Sequence, residues 1–159
     1  MPKIIRAKSS DIFPLIREIL QEGSGVCITV NGDSMYPFLR NGVDSVELAH
    51  IEYNTLKELD IVLVKRSPDE YVLHRVIKKE KDCFYIVGDA LNWIEGPLFP
   101  NQLIAVTTVV WRKEKKISCC SRSWRVLSWI WTQCLPVRGF LIRIFYTERK
   151  LKRILKIPE

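Results

Sequence analysis

From Gly25 onward, apolar and polar residues follow one another in short strand-like runs: Val26 to Val30, Val46 to Leu48, Asp60 to Lys65, Tyr71 to Lys78, Phe84 to Val87 and Leu103 to Trp111. These runs are rich in β-branched and aromatic side chains, which suit a pleated, half-buried surface. Asn41-Gly42, Ser67-Pro68-Asp69 and Lys79 to Asp82 separate them, and the last two links read as hairpin turns. The pattern predicts a mainly β, antiparallel domain of irregular barrel or ribbon character. Ahead of it, Ile12, Leu15, Ile16, Ile19 and Leu20 recur at helical spacing. Ser9, Ser10 and Asp11 can cap that run, Pro14 falls in its first turn, and Gly23 follows its end. After residue 117, Trp124, Trp129 and Trp131, then Val137, Phe140, Leu141, Ile144, Phe145, Leu151 and Leu155, predict two amphipathic helices broken at Pro136-Val137-Arg138-Gly139. The chain thus divides into a helical segment (1–24), a β domain (25–117) and a helical tail (118–159).

With 159 residues, 47% of them apolar, the chain can bury one core, so a single catalytic or binding domain is the expectation. Cys27, Cys83, Cys119, Cys120 and Cys134 are odd in number, two are adjacent, and none has zinc-ligand spacing. This favours reduced thiols facing the cytosol, with no metal and no cofactor. Met1 to Arg6 hold no apolar core suited to a signal peptide, and no stretch reaches the roughly 18 to 20 apolar residues of a transmembrane helix.

Charge is distributed unevenly. Residues 112–159 carry 13 basic against 3 acidic side chains, a net +10, while residues 1–111 carry 12 against 15, a net −3. Arg138, Arg143, Arg149, Lys150, Lys152, Arg153 and Lys156 interleave with the apolar positions of the tail. Aromatic and basic residues around an apolar stripe fit a helix lying in the plane of an anionic membrane surface. Packing of the Trp-rich face on the β domain or on a partner is the other reading. Nucleic acid is disfavoured, because no helix-turn-helix, zinc or RNA-binding signature accompanies the charge.

The candidate chemistry lies in the β domain. Ser34 sits in Gly32-Asp33-Ser34-Met35-Tyr36-Pro37, His74 in Val72-Leu73-His74-Arg75-Val76-Ile77, and Asp89 in Gly88-Asp89-Ala90, with Glu95 a few positions on. A serine hydroxyl is a poor nucleophile until a base takes its proton, and an imidazole works better when a carboxylate orients it. Each residue also has a plain structural reading. Ser34 and Asp33 could only form a turn, His74 could be a satisfied residue on a strand face, and Asp89 could close a loop. Met35 and Pro37 are expected to shape the serine turn. His50, the other histidine, belongs to no motif.

Ser-Met-x-Pro, an apolar strand, His-Arg-Val and Gly-Asp, in that order, resemble the signal peptidase I family. The likeness is to its Ser-His-Asp form, associated with the endoplasmic reticulum, archaea and some Gram-positive bacteria, and it covers roughly residues 26 to 110. It implies Ser34 as nucleophile, His74 as base where the bacterial majority form has Lys, and Asp89 or Glu95 as the carboxylate. Ala90, Leu91 and Glu95 depart from the family's Gly-Asp-Asn-Asn and following Asp pair. The family normally carries a membrane span before the Ser segment, a place the basic tail would take here. The implied activity is a serine endopeptidase that trims a leader or propeptide after a small residue, as in Ala-x-Ala, with the substrate bound as an extended strand. The Ser34 N–H is the expected oxyanion donor, and activity should rise with pH through an imidazole pKa near 6.5. The chain would be a peripheral membrane enzyme on the cytoplasmic face. A non-catalytic peptide- or partner-binding module of the same fold is the alternative, as is a relative of the self-cleaving repressors. Those proteins use a Ser-Lys pair and an N-terminal DNA-binding unit.

Overall fold

The computed structural model describes residues 9–67 and 70–154. The Met1 to Arg6 segment, the Pro68-Asp69 turn, Leu155 and Lys156 lie outside them. The mainly antiparallel β architecture expected from the sequence is found as one open sheet of eight strands. These are β1 (Val26–Thr29), β2 (Asp44–Ala49), β3 (Ile61–Ser67), β4 (Glu70–Lys79), β5 (Phe84–Val87), β6 (Glu95–Leu98), β7 (Leu103–Arg112) and β8 (Lys115–Ser118). Their order is β1-β2-β7-β3-β4-β5-β6, and β8 folds back onto β7. Helix α1 (Ser9–Gln21) precedes the sheet, and α2 (Arg122–Gln133) and α3 (Arg138–Ile154) follow it.

α1 ends where Gly23 takes a φ of +81°, with the Ser24 N–H bonded to Ile19 O and the Gly23 N–H to Leu20 O. That is a Schellman stop, which asks for a residue at ease in the left-handed region. Ile16 and Leu20 are buried, while Leu15 is half exposed.

Strand β3 shows why its sequence is apolar without interruption. Ile61 and Leu63 face one cluster, with Ile16, Leu20, Met35, Leu39, Val46 and Leu48; Val62 and Val64 face another, with Leu56, Val76, Phe84, Ile86 and Leu98. Both faces of the strand are covered, so alternation disappears. β6 and β8 were not expected from the sequence. Glu95-Gly96-Pro97-Leu98 carries the residues that normally break strands, and Lys115-Lys116-Ile117-Ser118 is largely charged. β6 is an edge strand, where a proline costs no central ladder bond.

Ser34 lies on the loop between β1 and β2. Its neck is held by Asp44, which is fully buried and bonded to Arg40 and Arg112 on two sides. Burial pushes the Asp44 carboxyl up, but the hydrogen bonds from Arg40 and Arg112 outweigh it and hold the group below the usual carboxylate range. The Val30 N–H donates to Asp44 O, and the Gly42 N–H to Val30 O, closing the loop at its base.

Candidate active site

The loop folds into successive turns. The Tyr36 N–H donates to Asp33 O and the Leu39 N–H to Met35 O, while the Met35 and Leu39 side chains are buried in the core. Met35 therefore anchors the turn from below, and Ser34 stays half-buried at its surface.

The turn is seated on the segment after β5. The Ala90 N–H donates to Ser34 O at 2.8 Å. A Cβ on Gly88 would stand 2.7 Å from Ser34 O, so only glycine lets the two backbones approach this closely.

The β4–β5 register locates His74 relative to this contact. Arg75 lies opposite Val87, the last pair of the β4–β5 ladder, and His74 and Gly88 each stand one residue beyond that pair. The Ser34 backbone thus rests against the residue that follows this last pair. No hydrogen bond joins Ser34 Oγ to the ring, and His74 Nδ1 is buried without a hydrogen-bond partner.

The two carboxylates have separate surroundings. Asp89 is fully buried in a two-pronged pair with Arg75, Nε to Oδ1 at 2.8 Å and Nη2 to Oδ2 at 2.7 Å. Arg75 Nη1 donates to Leu59 O and Ser128 Oγ, and Phe38 of the serine loop lies over the guanidinium at 4.5 Å. Asp89 is therefore a structural clamp in this arrangement, with Arg75, not His74, as its partner. Glu95, at the start of β6, is the carboxylate beside the base, with its Oε2 3.8 Å from His74 Nδ1. Arg66 holds Glu95 from the other side by a two-pronged pair.

Burial and the nearby Arg66 charge push the His74 imidazole down to about 4, against a partial upward pull from Glu95 and Asp89. The ring is neutral at pH 7, the state a proton acceptor needs, and its ordinary value near 6.5 does not apply. His50 bonds Glu52 at the surface, far in the ladder from this cluster. Among the described residues, no group of three or more His, Cys, Asp or Glu is arranged to hold a metal.

The helical tail belongs to this site. Trp124 and Trp131 face inward, packing on Phe38, and Trp129 faces outward. Tyr36, two residues past Ser34, stacks on Tyr146 and meets Phe145 edge-on, so α3 covers one side of the serine turn. Arg66, Ser128 and Trp131, with the Arg75 hub, were not singled out as site residues from the sequence. Their roles come from long-range packing, and Arg75 alone had a local signal, its position beside His74. Comparison with protein-family models and with curated proteins gives no match.

Proposed function

We propose that the protein is a serine endopeptidase, similar to signal peptidase I, that cuts a leader or propeptide from a small secreted or modified peptide. Ser34 is the nucleophile, neutral His74 takes its proton, and Glu95 stabilises the imidazolium that forms. Asp89 holds the site together through Arg75. The observation that carries this reading is the seat of the Ser34 turn on Gly88, one residue past the last pair of the β4–β5 ladder, beside a buried His74 whose Nδ1 has the Glu95 carboxylate 3.8 Å away.

The chemistry follows from that arrangement. As His74 gains a proton, the Glu95 carboxylate 3.8 Å away gains a positive neighbour, an attraction strengthened by low surrounding dielectric. The acyl group passes to Ser34 Oγ, the leaving amine takes the proton back from His74, and water then cleaves the ester. The Ser34 N–H serves the developing oxyanion. β1 ends five residues before Ser34 and pairs with β2 on one side only, so its other edge offers backbone groups to an extended peptide.

A membrane surface is the proposed second partner, met through the outer faces of α2 and α3. Val126, Leu127, Trp129, Ile130, Val137, Phe140 and Ile144 are about half exposed or more, on a tail of net charge +10. An apolar ridge amid basic residues matches an anionic bilayer interface. No helix among the described residues is long and apolar enough to cross a membrane. Attachment at the cytoplasmic face is the proposed location.

The test compares peptide N-termini, by mass spectrometry, in native cells carrying wild-type protein or Ser34→Ala at matched abundance. A precursor that stays uncut in the variant, missing a cleavage after a small residue, supports the endopeptidase. An unchanged set, with both proteins folded and expressed where the function is needed, favours the non-catalytic binding module.

A further inference from the structure

We infer that Arg138, at the first turn of α3, is a positioning residue that holds the Gly88-to-Leu91 segment against the Ser34 turn. The inference rests on the reading of Ser34 as nucleophile. Arg138 is fully buried, yet its hydrogen bonds go to carbonyls alone: Gly88 O at 3.2 Å, Leu91 O at 3.1 Å and Trp131 O at 3.0 Å. A buried guanidinium without a bonded carboxylate is costly, so its retention calls for a job that a smaller or apolar side chain cannot do. Bridging two points of one loop and a carbonyl in the last turn of a neighbouring helix is such a job, because the planar fork presents donors in fixed directions.

The tail grips this loop at further points. Trp131 Nε1 donates to Asp89 O at 2.9 Å, and Ser128 Oγ accepts from the arginine that clamps Asp89. The loop in turn supplies the Ala90 N–H that bonds Ser34 O. A path of hydrogen bonds and loop backbone therefore runs from Arg138 through residues 88–91 to the nucleophile's own backbone. The inner faces of α2 and α3 are part of the catalytic apparatus, whatever their outer faces bind.

The experiment uses the full chain as wild type, Arg138→Met and Trp131→Phe. Hydrogen exchange is followed by mass spectrometry over residues 33–37 and 88–91, and acylation is measured with an activated peptide ester ending in alanine. In Arg138→Met, both segments should exchange about tenfold faster or more while β3 and β4 keep their protection. The acylation rate should fall by about tenfold or more with KM changed less than about threefold, since misplacement of a nucleophile weakens the reaction more than binding. Trp131→Phe, which removes one N–H from the same loop, should shift both readouts in the same direction by less. Unchanged exchange in the two segments, or an equal rise throughout the sheet, overturns the inference. If Arg138→Met does not fold, Trp131→Phe decides by the same criteria. Should the wild type form no acyl-enzyme while the local exchange still rises in the variants, the nucleophile reading fails and the holding role of Arg138 stands.

Discussion

The depressed basicity of His74 makes a prediction that can be worked through in full. An imidazole at about 4 in the folded protein, against an ordinary value of 6.5, binds its proton roughly 300 times less tightly than in the unfolded chain, which corresponds to about 3 kcal/mol. Between pH 6.5 and 4 the unfolded chain holds a proton at this position that the folded protein lacks. The unfolding free energy must therefore fall as pH drops through that window, by about 3 kcal/mol in all, and this contribution is intact above pH 6.5. The same value sets chemistry. His74 remains an acceptor down to mildly acid pH, so the acid limb of the acylation rate should have its midpoint near 4. The chain has two histidines, so an NMR titration with His50→Gln as the control assigns the His74 ring directly. Denaturant unfolding of wild type and His74→Gln across the same range isolates its share of the acid destabilisation. A ring that titrates at 6.5 or above, with equal pH slopes in the two proteins, would refute the reasoning from burial and Arg66.

Other substitutions separate the parts of the site. Asp89→Asn should lower the unfolding free energy by about 3 kcal/mol, because it leaves the fully buried Arg75 without its counter-charge; thermal and denaturant unfolding read this. Glu95→Gln should leave the fold intact, reduce the acylation rate about tenfold and move the His74 titration further down, since a negative charge near Nδ1 is lost; the same ester assay and NMR titration check it. Gly88→Ala should slow acylation by about tenfold or more, because the new Cβ would meet Ser34 O and the Leu91 side chain. Replacing Trp129, Phe140 and Ile144 together with serine should abolish sedimentation with anionic vesicles while leaving soluble peptide-ester acylation unchanged.

Much of the β domain was legible because its strands obey local rules. The runs at 60–65, 71–78 and 103–111 are all strands, and the helical spacing of residues 9–21 and both halves of the tail is reproduced. What escaped was set by distant contacts. The choice between Asp89 and Glu95, both candidates in the sequence, was one such point, since Asp89 stands in the Gly-Asp wording and Glu95 beside a Gly-Pro step. Only the pairing of β5 with β6 brings Glu95 toward the sheet that carries His74. Arg138 looked like one more basic residue on a solvated helical face, because neither its neighbours nor its spacing signals burial. In the folded chain it lies under α2, against carbonyls some fifty residues away in sequence. The tail's tryptophans read as one stripe, yet Trp124 and Trp131 face the β domain while Trp129 faces out. Helical spacing alone cannot decide between these faces when both are apolar.

The central claim is that Ser34 becomes acylated with His74 as its base, and trapping that intermediate tests it most directly. The purified chain is mixed with the activated peptide ester, quenched at short times, digested, and the modified residue located by mass spectrometry. The account predicts one acyl group on Ser34, absent from Ser34→Ala and formed at least about a hundredfold more slowly in His74→Gln. An adduct elsewhere, or one that forms on Ser34 at the same rate without His74, would contradict it.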